Sequence, residues 1–298
     1  MKIHSPLQYC GRSFSENELE TIRKIIAEDP NRTRAHISRL VCKHLGWYKP
    51  DGDLKQMSCR VALLRMQDDG LLSLPAPRHI QSKCKPQIQF SSATDPKVPI
   101  RDPVDALGII HLQIVTDKFE SSLWREYIHR YHYLGYQPLP GAQLRYFAKL
   151  TDGTPLALLG FGAAAWKTDP RDRFVGWSHE QRKKKLHLIV NNARYLIMPW
   201  IKSKNLASKL LAMTAKRITI DWKSRYGYTP VLLETFVDSQ RFRGTCYKAA
   251  NWIYVGQTKG RGKLDVHNTA RLPIKDVWLY PLVPPFRKFL SSAPMPSN

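Results

Sequence analysis

The chain has 298 residues, with 47 Lys and Arg against 24 Asp and Glu, and a formal charge of +23 at pH 7. That excess points to an anionic partner, nucleic acid foremost. A hydrophobic content of 43% excludes disorder as the overall description, and no apolar run approaches the roughly 18–20 residues that span a bilayer.

The opening residues, MKIHSPLQYCGRSF, lack the apolar segment of a secretory signal. The expectation is a cytoplasmic protein with no membrane partner. The five cysteines are widely spaced and form no C-x-x-C pair, which argues against a zinc knuckle and fits reduced thiols.

Residues 1–79 read as a helical, winged-helix-like module. Ser15 and Glu18 have the spacing of a capping box, and Leu19, Ile22, Ile25 and Ile26 follow at helical period up to Asp29-Pro30. A second helix begins near Thr33 and carries Ile37, Leu40, Val41 and Leu45. A third runs from about Leu54 to Asp69, with Met57, Val61, Leu64 and Met66 expected in the core. Leu71 to Pro75 reads as a short strand. In a helix-turn-helix arrangement the third helix would read DNA, with Lys55, Gln56, Arg60 and Arg65 as candidate contacts.

Residues 80–103 contain Pro86, Pro96, Pro99 and Pro103 and read as a proline-rich linker lying across the next domain. Residues 104–298 then mix helices and strands, so the whole chain is of the α+β (mixed α/β) class. Strands are expected at 107–115, 144–149, 155–163, 195–201, 231–237 and 253–256. Helices are expected at 119–131, 206–226 and 245–252.

Three stretches of this second domain carry candidate chemistry. HRYHYLGY concentrates histidine and tyrosine, and His132 is a candidate general acid or base. Between Arg171 and Arg217 there are twelve Lys or Arg and two acids, Asp172 and Glu180. This density favours phosphate contact, with Arg182, Lys183, Lys184, Lys185, Arg194, Lys202 and Lys204 as candidates. In the third stretch, Glu234 and Asp238 sit on one apolar strand. They precede an acid-free run, Ser239 to Leu264, that interleaves Arg241, Arg243 and Arg261 with Phe242, Tyr247, Trp252 and Tyr254.

The strand, turn and helix of ARYLIMPWIKSKNLASKLLAMTAKR resemble the coenzyme-A-binding element of the Gcn5-related acetyltransferase fold. LLETFV and CYKAANWIYVG resemble that fold's later strand and terminal element. Asn205 and Ala207 stand where the pyrophosphate turn has glycines, so the likeness implies a degenerate acetyltransferase-like domain. The ordered words HYLGY, RYFAKL, LLGFGAAAW, RDRFVGW, IVNNARYLIMPWI, LLETFVD, RFRGTCYKAANW and VGQTKGRG resemble the protein A family of the Druantia anti-phage system and its transposase-like relatives. That likeness implies DNA transactions in phage defence or at mobile elements.

The residues themselves suggest DNA strand cleavage or transfer with divalent metal. Glu234 and Asp238 would hold Mg²⁺, with Asp172 as a third ligand. Tyr247 would be the nucleophile, Cys246 the lesser candidate, and His132 the proton carrier. Arg241, Arg243 and Arg261 would clamp phosphates. Two alternatives remain open: a non-catalytic DNA-recognition subunit acting as a homodimer or with a partner enzyme, and acetyl transfer from coenzyme A.

Overall fold

The structure, a computed structural model, describes residues 7–50, 52–77, 88–260 and 272–291. The chain divides into two compact units between residues 86 and 87.

The first unit opens with a hairpin that the sequence did not announce. Strands β1 (Leu7–Tyr9) and β2 (Arg12–Phe14) pair antiparallel around Cys10 and Gly11, both at positive φ. Three helices follow. Helix α1 (Glu16–Ala27) begins at the expected Ser15–Glu18 capping box. Helix α2 (Arg34–His44) is capped by the Thr33 side chain, which accepts from the His36 amide. Helix α3 spans Gln56–Asp68.

The core of this unit gathers Leu19, Ile22, Ile37, Val41, Leu63 and Met66. Here the expected face of α3 is corrected. Met57, Val61 and Leu64 are 67%, 37% and 38% exposed, whereas Cys59, Ala62, Leu63 and Met66 are buried. The helix has apolar residues on two faces. The face with Cys59 and Ala62 turns inward, and small side chains there let neighbouring backbones come close. Residues 71–77 hold no strand, and the two-stranded sheet of this unit, β1 with β2, precedes its helices.

The second unit begins with the proline-rich stretch itself. Residues 92–94 form a 3₁₀ turn, and Ile100 bridges in parallel to Ile201. The Glu126 carboxylate secures this stretch by accepting from the Ser91 amide and hydroxyl and, at 2.5 Å, from the Thr94 hydroxyl. Then come β3 (Ile110–Ile114), α4 (Lys118–Tyr131), β4 (Gln143–Leu150) and β5 (Pro155–Ala163). Two short helices, α5 (Asp169–Val175) and α6 (His179–Lys185), lead into β6 (Ile189–Ile197). Helix α7 (Leu206–Tyr226) precedes β7 (Leu232–Asp238), α8 (Thr245–Ala249) and β8 (Ile253–Gln257). Strand β9 (Lys275–Pro281) and helix α9 (Phe286–Ser291) end the described chain.

The seven strands form one sheet in the order β3-β4-β5-β6-β7-β9-β8. Every neighbouring pair is antiparallel except β6 with β7. Strand β6 starts earlier than the sequence suggested, at Ile189, because Ile189 and Val190 continue the apolar run into the core. Helix α7 covers the sheet with Leu210, Leu211, Ile218 and Trp222, all essentially inaccessible.

Candidate functional site

The site grows out of the parallel pair. Strands β6 and β7 pair at Ile189–Leu232, Val190–Leu233 and Asn191–Glu234, and the ladder stops there although both strands continue. The reason lies on the other side of β6. Gly160 of β5 faces Arg194 and Phe161 faces Asn192, which leaves Ala193 as an extra residue in β6. Such a bulge bends a strand and re-aims its side chains. Beyond it a cleft of about 570 Å³ opens between β6 and β7, closed at its ends by the 132–134 loop and by α8.

The walls of the cleft are aromatic and basic. His132 and Tyr133 stack at 4.9 Å and 26°, and Tyr133 meets Phe242 at 5.4 Å. Tyr133 and Phe242 are 40% and 50% exposed at the rim. Arg194, Arg243 and Lys275 line the same opening. Among the described lining residues the one carboxylate, Asp238, is engaged: it lies 3.5 Å from Arg241 Nε and accepts from the Gln240 amide at 3.1 Å. Arg241 itself stands over the Tyr133 ring at 5.3 Å.

The floor is a polar network inside the core. The Tyr247 hydroxyl donates to Asn192 Oδ1 at 2.9 Å, and the Thr235 hydroxyl donates to the Asn192 carbonyl at 3.0 Å. Burial pushes the Tyr247 phenol well above its ordinary pKa, and burial also raises the Cys246 thiol. Neither is set up as a nucleophile, which needs its ionised form. His132 is lowered to about 4, by burial first and then by the Arg194 charge. It stays neutral at pH 7, and its Nδ1 accepts from the Leu134 amide at 3.2 Å.

The expected metal triad is not assembled. Glu234 does not line the cleft. It is wholly buried and receives Arg171 Nη1 at 2.8 Å and the Ala165 amide at 2.7 Å. Asp172 joins the same knot, accepting from Arg171 at 2.8 Å, Arg182 at 3.0 Å and the Trp177 indole at 3.0 Å. The Arg171 guanidinium thus occupies the place where a cation would neutralise Glu234 and Asp172. Burial opposes its charge, and the two carboxylates outweigh that and raise its pKa. Asp238 stands apart, beside Arg241. Among the described residues no three acidic, histidine or cysteine side chains come together to hold a metal.

The candidate DNA contacts divide in the same way. Arg60, Arg65, Lys183, Lys184, Lys202, Lys204 and Arg243 are exposed. Arg182 is buried against Asp172, and the Gln56 amide is spent on the Ala35 carbonyl at 3.0 Å, joining α3 to α2. Lys185 has interactions within the fold. Arg261 lies outside the described residues. Sequence reasoning missed Lys275, Asn192 and Thr235. The latter two look like ordinary strand residues, and Lys275 arrives from a distant segment with no local signal.

The family described as Druantia protein DruA matches residues 65–275. No curated protein matches the chain. Among solved structures, the spermidine/spermine N-acetyltransferase SpeG from Vibrio cholerae with manganese ions is 9% identical with a TM-score of 0.38, covering 59% of this chain and 94% of that one. The spermidine N-acetyltransferase from Vibrio cholerae with CoA and spermine is 10% identical with a TM-score of 0.38, covering 58% and 95%. At this level the likeness concerns the course of the chain. The Arg171-centred knot and the buried Tyr247 phenol overturn the expectation of a strand-cleaving enzyme with Glu234, Asp238 and Tyr247 at its centre.

Proposed function

The chain belongs to the Druantia protein DruA family, and from that premise we propose that it serves anti-phage defence as a DNA-recognising component that does not cut. One observation carries this reading. The cleft between β6 and β7 brings Arg194, Arg243 and Lys275 together with Tyr133 and Phe242, and the Asp238 carboxylate that lines it is already paired with Arg241. Cationic side chains hold phosphate, and exposed aromatic rings hold bases. The formal charge of +23 supplies long-range attraction for the same partner. Chemistry on the bound DNA would fall to a partner enzyme.

The test is titration of the purified full chain with labelled duplex and single-stranded DNA over a range of salt, with Mg²⁺ present. Expected are a log-log salt slope of about −0.7 to −0.9 per phosphate neutralised and full recovery of intact DNA. Absence of binding at about 0.1 M salt would overturn the reading, because screening there is still incomplete.

A second reading, acetyl transfer from coenzyme A, is favoured by one feature. Asn205, just ahead of α7, holds φ at 63°. The turn therefore keeps the left-handed backbone for which glycine is the usual residue. Acetyl-CoA raising the melting temperature would support it, and no shift at millimolar cofactor would dismiss it.

A further inference from the structure

Resting on the nucleic-acid reading above, we propose that the cleft takes a single unpaired nucleotide, its phosphate held by Arg194 and its base laid against Phe242 in the corner that Tyr133 closes.

Arg194 is the unusual residue. It follows the bulge at Ala193 and lines the cleft. Its Nη1 donates to the Ala193 carbonyl at 2.7 Å, and its Nε is shut away from solvent with no acceptor. Among the described residues it has no carboxylate partner. The guanidinium is half-buried next to Tyr133 and Tyr136, and burial pulls its pKa down. A cation taken partly out of water without a counter-charge is costly, and such groups are normally paired or hydrogen-bonded. Arg171 and Arg182, buried in the same unit, show the usual solution of carboxylate partners. At Arg194, which opens on the cleft, a ligand anion would supply the counter-charge. Among the described residues that line the cleft the one acid, Asp238, is taken up by Arg241.

The rest of the cleft selects the kind of anion. Tyr133 is backed on one side by His132 and held from another by Arg241, so its ring is fixed. Phe242 stands 59° to it at 5.4 Å, and the two form an open aromatic corner. Phe242, half exposed, offers a face to a flat group, as base-stacking platforms do, while the braced Tyr133 ring walls the corner beside it. Nearby, Asn191 Oδ1 is a buried acceptor without a donor. The opening, about 570 Å³, lies within the roughly 300–1,000 Å³ typical of small-ligand sites. A duplex keeps its bases paired and stacked, whereas an unpaired nucleotide presents both a ring face and an accessible phosphate. A free nucleotide and one within a strand present the same chemistry.

The experiment uses the full chain and fluorescence anisotropy with a labelled oligothymidylate, a duplex of equal length, and unlabelled thymidine monophosphate as competitor. Arg194→Met and Phe242→Ala should each weaken the single strand about tenfold or more, in line with about 1–3 kcal/mol for one stacked base. Duplex affinity should stay within about twofold. Phe242 is half exposed, so its variant carries the test if Arg194→Met does not fold. Competition by the monophosphate assigns the site to free nucleotides, and competition by strands alone assigns it to single-stranded DNA. Unchanged single-strand affinity in Phe242→Ala, or equal losses for strand and duplex, overturns the proposal while leaving DNA binding intact. A wild-type chain that binds neither DNA overturns the broader reading instead.

Discussion

Arg171 and Glu234, 63 positions apart in sequence, form an ion pair at 2.8 Å with neither side chain exposed to solvent. The pair ties α5 to the middle of β7, and neither partner lines the cleft. Removing one partner of a buried pair leaves the other charged and unsolvated, which typically costs about 3–5 kcal/mol. Asp172 still neutralises part of Arg171, so Glu234→Gln is expected near the lower end of that range. Urea denaturation measures it directly. DNA affinity of the folded variant should equal wild type, since Glu234 lies outside the cleft. A stable variant with altered DNA binding would put Glu234 in the wrong place.

Helix α3 gives a test of which face is inward. Leu63 is 2% exposed and Leu64 is 38% exposed. Leu63→Ala should cost about 2–5 kcal/mol. Leu64→Ala should stay within about 0.5 kcal/mol, as surface changes do. The reverse order in chemical denaturation would restore the face suggested by the sequence.

His132 predicts an acid-sensitive component of stability. Its folded pKa is lowered to about 4 from an ordinary 6.5. Between those values the unfolded chain takes up a proton that the folded chain refuses. The contribution is therefore complete above pH 6.5 and lost progressively as pH falls toward 4. His132→Phe removes this dependence. The variant should gain on wild type between pH 7.5 and pH 4.5 when denaturation midpoints are compared. Parallel midpoints at both pH values would show that the imidazole titrates normally.

Much of this was readable in the chain, and the limits have physical causes. The Ser15–Glu18 capping box, the extent of α7 and the β4–β5 hairpin follow from local rules of capping and periodicity. The acid-poor basic stretch after Asp238 did fall on the cleft, with Phe242 and Arg243 in its wall. The role of Glu234 was misread because strand parity does place it on the same face as Asp238. Parity says nothing of a partner 63 residues away. The α3 face was misread because two apolar stripes share one helical period, and packing against α2 decides between them. Lys275 joins the site through the β7–β9 pairing, where it faces Asp238, a long-range relation that leaves no local trace.

Gly244 supplies a further test. It sits at φ 68°, and an added Cβ would meet the Trp278 ring at 2.9 Å. Gly244→Ala should combine about 1–2 kcal/mol of backbone strain with about 1–3 kcal/mol of overpacking. Gly153, at φ 88° with nothing within 4 Å, is the control that bears the backbone cost alone. Melting temperatures should fall further for Gly244→Ala than for Gly153→Ala. Equal falls would show that the indole moves aside freely.

The early end of the β6–β7 ladder also leaves two inner strand edges facing one another. From Asn192 in β6 and Thr235 in β7 onward, the ladder supplies no partners across the gap. The Thr235 hydroxyl reaches over to the Asn192 carbonyl, a side chain substituting for a main-chain donor at the vertex. The opening is thus set by backbone pairing and by the extra residue at Ala193, not by the side chains that furnish it. Substitution of the rings and cations on its walls can change what is held there without shutting it. Deleting Ala193, by contrast, would remove the bend and let the two strands zip together.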